Sequence, residues 1–138
     1  CVMAGADIVA LDATGRPRLD GRSFAETVAA LREEETLVMA DCGSFDDAQR
    51  AVDAGVDIVS TTLAGYTGDR PKTDGPDLEL LEQTVQAFPG VPVICEGRIH
   101  TPDHAAAAMK LGAFAVIVGT AITHPTSVTG WFKAAVEG

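Results

Sequence analysis

Two carboxylates stand at the ends of apolar runs, where they could exchange protons with a ligand. Asp41 follows the run 37–40, and Glu96 follows the run 91–95. Apolar runs without polar alternation predict strands that are buried on both faces, as in a parallel sheet. A carboxylate at the end of a buried strand costs free energy unless it has a partner or a task. We therefore predict that Asp41 and Glu96 are functional rather than structural.

Three further apolar runs also end in polar or glycine residues. These ends are Asp12 and Thr14, Thr61 and Thr62, and Gly119 and Thr120. Chemistry in α/β barrels is placed at the carboxyl ends of the strands. Five such ends in register predict one shared site, whereas ordinary capping and loop polarity are the alternative explanation.

The elements that position these residues form a β-α pattern repeated five times. The spacing of apolar residues and of Ser, Thr, Pro and Gly predicts helices over 23–34, 44–55, 77–88, 101–111 and 128–137. The segment 64–76 is too long and polar for a tight connection, so it is a candidate binding loop or lid. Thr101 and Pro102 predict a capped helix start directly after the Glu96 strand.

This pattern favours an α/β fold of the (β/α)₈ TIM-barrel type. A weak repeat supports it, because residues 4–9 (AGADIV) match residues 54–59 (AGVDIV). Five units do not close a barrel, so we expect about three further β-α units before Cys1. Residues 1–138 are then the C-terminal part of a single phosphate-binding domain.

The composition excludes several classes of function. A net charge of −10 argues against nucleic-acid binding and membrane-surface binding. No apolar run approaches the ~20 residues of a membrane span, and the start lacks a signal-peptide pattern, so we expect a cytoplasmic protein. Cys1, Cys42 and Cys95 have no CxxC spacing, which favours buried thiols over a disulfide or a metal site.

A phosphate site is predicted at the last two strand ends. Gly97 follows the fourth strand, and Gly119 with Thr120 follows the fifth. If these strands are barrel strands seven and eight, they lie where barrels most often bind phosphate. Glycine allows the backbone to approach the anion closely.

Several charged residues near these ends have two interpretations. Arg98 either binds an anion or pairs with Glu96, and Asp12 either contacts the substrate or caps the loop that follows it. His100 and His104 are interpreted as solvated residues at a helix start rather than as a metal pair, and no metal site is predicted. His124 is better placed than His100 and His104 to lie near the proposed phosphate.

Five segments together resemble the N-acetylmannosamine-6-phosphate 2-epimerase family. They are LDAT at 11–14, AD at 40–41, TTLAGYT at 61–67, EGR with TP at 96–102, and VGTAIT with Pro125 at 118–125. The likeness runs over the whole chain and keeps the order of the segments.

The resemblance implies a barrel that interconverts N-acetylmannosamine 6-phosphate and N-acetylglucosamine 6-phosphate in sialic-acid and amino-sugar catabolism. It implies no metal or organic cofactor and a small-molecule sugar phosphate as the partner. Glu96 matches the family's catalytic glutamate and Asp41 its active-site aspartate. The other residues that the motifs place at the substrate or its phosphate are Gly97, Arg98, Gly119, Thr120, Tyr66 and Thr67.

The chain departs from the family pattern at two points. The family's catalytic lysine lies on an earlier strand, before the region covered by this chain. The family usually has Arg where this chain has His124. If that Arg contacts the phosphate, a neutral imidazole would hold the phosphate less well, and titration of the imidazole would make binding depend on pH.

Epimerisation next to a carbonyl group requires removal of a weakly acidic proton and its return on the other face. A carboxylate and a second acid/base group opposite it can do this. The rival interpretations are another phosphate-binding barrel, such as a pentose-phosphate epimerase or a thiazole-phosphate synthase, and a non-catalytic sugar-phosphate-binding module. The latter would be a truncated barrel that completes itself as a homodimer.

Overall fold

The computed structural model describes residues 1–138 and shows an α/β fold. A short 3-10 helix, Val2–Ala4, precedes the first strand. The strands are β1 Ile8–Asp12, β2 Leu37–Asp41, β3 Ile58–Ser60, β4 Val93–Glu96 and β5 Ala115–Ile117. The helices are α1 Phe24–Glu33, α2 Phe45–Asp53, α3 Leu78–Ala87, α4 Pro102–Lys110, α5 Thr120–Thr123 and α6 Pro125–Glu137. None of the helices combines the length and the apolar composition that a membrane span requires.

The five strands form one parallel sheet in the order of the chain, β1 to β5. Asp12 is paired with Asp41, and Asp41 with Ser60, so the carboxyl ends of β1, β2 and β3 are level. Glu96 at the end of β4 is paired with Ile117 at the end of β5. The predicted polar strand ends therefore lie along one edge of the sheet.

The predicted helix caps are confirmed. Ser23 and Glu26 form a reciprocal capping box at the start of α1, in which each side chain binds the other residue's backbone N–H. Ser44 and Thr101 each accept a hydrogen bond, 3.2 Å long, from the backbone N–H three residues later. Pro102 occupies the first turn of α4, as its fixed φ favours. These caps fix where each helix leaves the edge that carries the polar residues.

The core lies on one face of the sheet, beneath the helices. One cluster of nine buried residues includes Val28, Val38 and Val59, and a second of six includes Leu81 and Cys95. The prediction that the strands are buried on both faces is wrong for the described residues, because Ile8, Leu37 and Ile117 on the other face are 46%, 47% and 37% exposed. Alternate residues of a strand point to opposite faces, and only one face is covered by α-helices.

The last helix differs from the sequence prediction, since it begins at Pro125 rather than Val128 and the short helix α5 precedes it. One acidic residue in the first turn of α2, Asp47, is only 3% exposed. Its carboxylate accepts the Gly43 N–H at 3.0 Å and pairs with Arg50, so it fixes the chain just beyond Asp41.

Candidate active site

The two predicted carboxylates meet through a third side chain, Thr62. The Thr62 Oγ1 lies 2.8 Å from Asp41 Oδ1 and 3.0 Å from Glu96 Oε2. The Ser60 Oγ lies 2.7 Å from the same hydroxyl. Asp41, Thr62 and Glu96 therefore form a continuous polar cluster at the carboxyl ends of β2, β3 and β4. The prediction singled out both carboxylates, whereas Thr62 was identified only as a polar strand end.

The neighbouring Thr61 positions the backbone of Glu96. Thr61 is 1% exposed, and its Oγ1 accepts the Glu96 N–H at 3.1 Å while donating to the Glu96 carbonyl at 3.0 Å. Because successive residues of an extended strand point to opposite sides, Thr61 binds the β4 backbone while Thr62 reaches the carboxylates. The three consecutive hydroxyls 60–62 therefore fix both the position and the environment of Glu96.

Burial perturbs the Asp41 carboxyl. Desolvation raises its pKa above the usual range, the hydrogen bond from Thr62 opposes that effect, and the negative charge of Asp12 adds to it. A carboxyl group whose pKa is raised in this way holds its proton more readily than an ordinary aspartate does.

A cavity of about 240 Å³ opens beside this cluster. Six predicted site residues line it, together with Thr62: Tyr66, Glu96, Gly97, Arg98, Gly119 and Thr120. The lining comes from the ends of β3, β4 and β5, and the sequence predicts a phosphate site at the last two of these ends. The cavity thus joins a carboxylate to glycine backbone that can approach an anion closely.

Gly97 and Arg98 turn the chain away from β4 in left-handed backbone conformations. Their φ angles are +100° and +55°, and the first of these is accessible at low cost only to glycine. The turn directs the Arg98 side chain to the segment 64–76 rather than to Glu96. Arg98 donates to the carbonyls of Ala64 and Gly75 at 2.7 and 3.0 Å and to Thr73 Oγ1 at 3.1 Å. The interpretation of Arg98 as an ion-pair partner of Glu96 is therefore wrong.

The segment 64–76, which we call the β3–α3 loop, is anchored at both ends. The Tyr66 ring lies 5.1 Å from the Arg98 guanidinium and is half exposed at the cavity. At the other end, Arg70 donates to both carboxylate oxygens of Asp77, at 2.6 and 3.0 Å. Asp77 is 4% exposed and also caps α3 by accepting the Leu80 N–H at 3.0 Å. The predicted lid is thus held against the strand ends by two arginines.

Besides Asp41, three predicted site residues lie outside the cavity lining. Asp12 accepts the Thr14 N–H and hydroxyl at 2.9 and 2.6 Å and pairs with Arg16 at 2.6 Å, so it organises the loop after β1. Thr67 donates to Asp69 at 2.8 Å. The His124 Nδ1 lies 2.7 Å from Ser127 Oγ and caps α6. Their roles toward a substrate stay predictions.

The two histidines near α4 are half-buried rather than solvated. His104 Nδ1 accepts the His100 N–H at 3.3 Å, and the His100 ring packs 4.5 Å from the Trp131 ring. His100 lines the cavity. No group of three or more His, Cys, Asp or Glu side chains converges as a metal site.

A larger cavity, about 760 Å³, lies between the loop after β1 and α2. Arg16, Arg18, Arg22 and Arg50 line it, but neither Asp41 nor Glu96 does. Arg16 and Arg50 are already paired with Asp12 and Asp47. The smaller cavity is therefore the candidate active site, since it contains Glu96 at the end of β4 and lies beside Asp41 and Thr62.

Comparison with known proteins shows the family to which the chain is similar. The family model described as "Putative N-acetylmannosamine-6-phosphate epimerase" matches residues 1–138. A Cutibacterium acnes protein named "Putative N-acetylmannosamine-6-phosphate 2-epimerase" is 63% identical over 99% of this chain and 61% of its own length. A protein of the same name from Corynebacterium glutamicum is 47% identical over 95% of this chain and 56% of its own length.

The chain is also similar in structure to a solved relative. The N-acetylmannosamine-6-phosphate 2-epimerase from Clostridium perfringens superposes with a TM-score of 0.93 at 40% identity, covering 97% of this chain and 58% of that one. The chain therefore spans about three fifths of the length of the relatives it matches. On the full-length match to the family model and on these relatives, the chain belongs to the N-acetylmannosamine-6-phosphate epimerase family.

Proposed function

We propose that residues 1–138 form the C-terminal part of a single (β/α)₈ barrel domain. The strand order supports this, because right-handed crossovers between consecutive parallel strands place every helix on the same face. The partly exposed apolar face, which includes Ile8, Leu37 and Ile117, matches the interior of such a barrel. There, side chains from all strands pack together in layers.

The proposed activity is C2 epimerisation of an N-acetylated amino-sugar phosphate, in the cytoplasm and in sialic-acid and amino-sugar catabolism. The substrate pair is N-acetylmannosamine 6-phosphate and N-acetylglucosamine 6-phosphate. The observation that carries the proposal is the Asp41–Thr62–Glu96 cluster beside the glycine-lined cavity. Membership of the family supports the choice of substrate.

We assign proton transfer and phosphate binding to different residues of the site. Glu96, at the edge of the cavity, exchanges a proton with C2, which is acidic because it is adjacent to a carbonyl group. The second acid/base group, a lysine by family resemblance, comes from outside this chain. The phosphate is held by the backbone around Gly97, Gly119 and Thr120, with Arg98 and Tyr66 at the same wall. Asp12, Thr67 and His124 complete the substrate contacts that we propose.

Proton transfer of this kind requires acid/base groups alone, so the proposal includes neither a metal nor an organic cofactor. The partner is a small sugar phosphate, and a homodimer is part of the proposal. Nucleic acid and membranes are not partners in it, consistent with the net charge of −10.

The test is an activity assay on the full-length protein with purified N-acetylmannosamine 6-phosphate. We expect N-acetylglucosamine 6-phosphate as the product and no turnover of a pentose phosphate such as ribulose 5-phosphate. Preferential turnover of the pentose phosphate would replace this proposal by the rival enzyme. Binding of the amino-sugar phosphate by a folded dimer without turnover would replace it by a non-catalytic binding module.

A further inference from the structure

The Thr62 hydroxyl has three oxygen neighbours but only one hydrogen to donate. The neighbours are Ser60 Oγ, Asp41 Oδ1 and Glu96 Oε2, at 2.7, 2.8 and 3.0 Å. A hydroxyl group donates one hydrogen bond and accepts two. If Thr62 donates to one carboxylate, Ser60 must donate to Thr62, and the second carboxyl must bring a hydrogen of its own. With the Ser60 hydroxyl donating to Thr62, the network is therefore complete when the two carboxyl groups carry one proton between them.

We propose that Thr62 is a positioning residue through which Asp41 and Glu96 share one proton. This inference rests on the proposed function and deepens it, since it states how Glu96 regains or loses the proton that it exchanges with the substrate. Two carboxyl groups that share one proton titrate as a pair rather than as separate residues.

The transfer step balances in atoms and charge. The proton on Asp41 Oδ1 passes to Thr62 Oγ1 while the Thr62 hydroxyl proton passes to Glu96 Oε2. Two O–H bonds break and two form, Thr62 is unchanged, and the negative charge moves from Glu96 to Asp41. The reverse step restores Glu96 as a carboxylate. Asp41 thereby acts as a proton reservoir although it does not line the cavity.

The surroundings of the pair favour this arrangement. Burial raises the pKa of Asp41, and the charge of Asp12 on β1 adds to the effect, so Asp41 can hold the proton when Glu96 is charged. The other groups that face the pair along the cavity wall are Arg98 and His100. The Arg98 guanidinium is directed to loop oxygens rather than to either carboxylate, so it does not neutralise the pair.

The first experiment detects the shared carboxyl proton directly and needs no substrate. Infrared spectra of the full-length protein at neutral pH should show the carbonyl stretching band of a protonated carboxyl group. Both Asp41→Asn and Glu96→Gln should remove this band, because the new amide group donates to Thr62 and leaves the remaining carboxyl ionised. A band that survives in Glu96→Gln but not in Asp41→Asn would assign the proton to Asp41 alone and overturn the proposal. The absence of the band from the unmutated protein would overturn it as well.

The second experiment measures turnover of N-acetylmannosamine 6-phosphate. Thr62→Val keeps the shape of the side chain but removes the hydroxyl, and should lower kcat about a hundredfold, the lower range of acid/base effects, with KM little changed. Thr62→Ser restores the hydroxyl and should recover most of kcat with the unmutated pH profile. Thr84→Val is the control for removal of a threonine hydroxyl elsewhere, since Thr84 is 1% exposed and its hydroxyl donates to the Leu80 carbonyl in α3.

The two experiments separate this proposal from the proposed function. Unchanged kcat and pH profile in Thr62→Val, in a protein that does epimerise the substrate, would overturn the role of Thr62 and leave the epimerase assignment intact. If the unmutated protein does not epimerise the substrate, the proposed function fails, and the infrared comparison alone decides whether the proton is shared.

Discussion

Asp77 both pairs with Arg70 and caps the start of α3. Its replacement therefore gives a quantitative test of how the β3–α3 loop is anchored. The nearly buried carboxylate accepts two hydrogen bonds from Arg70 and one from the Leu80 N–H. Asp77→Asn keeps an oxygen for the helix cap but loses the charge. Asp77→Ala loses both. Glu79→Gln is the matched control, because Glu79 binds the same arginine but its side chain is 83% exposed.

The expected magnitudes follow from these contacts. A hydrogen bond to a charged group contributes about 1.5–3 kcal/mol, so Asp77→Asn should lower the free energy of unfolding by about 2 kcal/mol. Loss of an N-cap costs about 1 kcal/mol, so Asp77→Ala should cost about 3 kcal/mol. Glu79→Gln should cost less than about 1 kcal/mol, since exposed ion pairs contribute little.

The same pair predicts a dependence on pH. Burial would raise the pKa of Asp77, but the hydrogen bonds from Arg70 and Leu80 and the positive charges of Arg70 and Arg98 lower it below its usual value. A lowered pKa contributes stability that is present above the unfolded-state pKa of about 3.9. That stability is lost as the pH falls through the lower folded-state value. The difference between the unmutated protein and Asp77→Asn should therefore be constant near neutral pH and shrink below about pH 4.

Denaturant unfolding of the full-length protein at several pH values measures these differences, and limited proteolysis of residues 64–76 reports the loop itself. We expect faster cleavage of the loop in both Asp77 variants than in Glu79→Gln. Equal stability of Asp77→Asn and Glu79→Gln at neutral pH would refute the argument that the buried ion pair anchors the loop. A difference that does not change in acid would refute the assignment to the Asp77 charge.

Three further predictions concern the thiols, the loop and the phosphate. Burial raises the pKa of the Cys42 and Cys95 thiols, so a thiol reagent at neutral pH should label only the exposed Cys1 in the folded protein. Rapid labelling of all three cysteines would contradict the burial of Cys42 and Cys95. Gly65→Ala should lower the free energy of unfolding by about 1–2 kcal/mol and speed proteolysis of the loop, because φ is +75° at Gly65 and the new Cβ would lie 2.8 Å from the Cα of Lys72. Unchanged cleavage would show that the loop adapts to the new side chain. His124→Arg should tighten binding of inorganic phosphate in a titration calorimeter while losing the α6 cap, and unchanged affinity would remove His124 from the phosphate site.

The local sequence was sufficient to predict the strand ends and helix caps, because these features depend on residues that are neighbours in the chain. The strand that ends at Glu96 and the caps at Ser44 and Thr101 follow from apolar runs and from the residue types at their ends. The edge on which Asp41 and Glu96 lie follows from the repeated β-α pattern, because parallel strands bring their carboxyl ends to one side.

Contacts that depend on strand register or loop path could not be predicted in this way. Thr62 meets both carboxylates because Ser60 is paired with Asp41 across β2 and β3, a register that no local pattern encodes. Arg98 is two residues from Glu96 in sequence, yet its left-handed backbone turns it toward the β3–α3 loop. Likewise, the burial of Asp47 results from its contact with Gly43 and not from its position on a helix.

Solvent exchange at the reacting carbon tests the central claim that Glu96 transfers a proton at C2 of an amino-sugar phosphate. The full-length protein is incubated with N-acetylmannosamine 6-phosphate in deuterium oxide, and proton NMR follows the C2 signal of substrate and product beside a Glu96→Gln variant. We predict N-acetylglucosamine 6-phosphate labelled with deuterium at C2, and neither product nor label with Glu96→Gln of unchanged fold. Labelled product formed by Glu96→Gln at the unmutated rate would contradict the account.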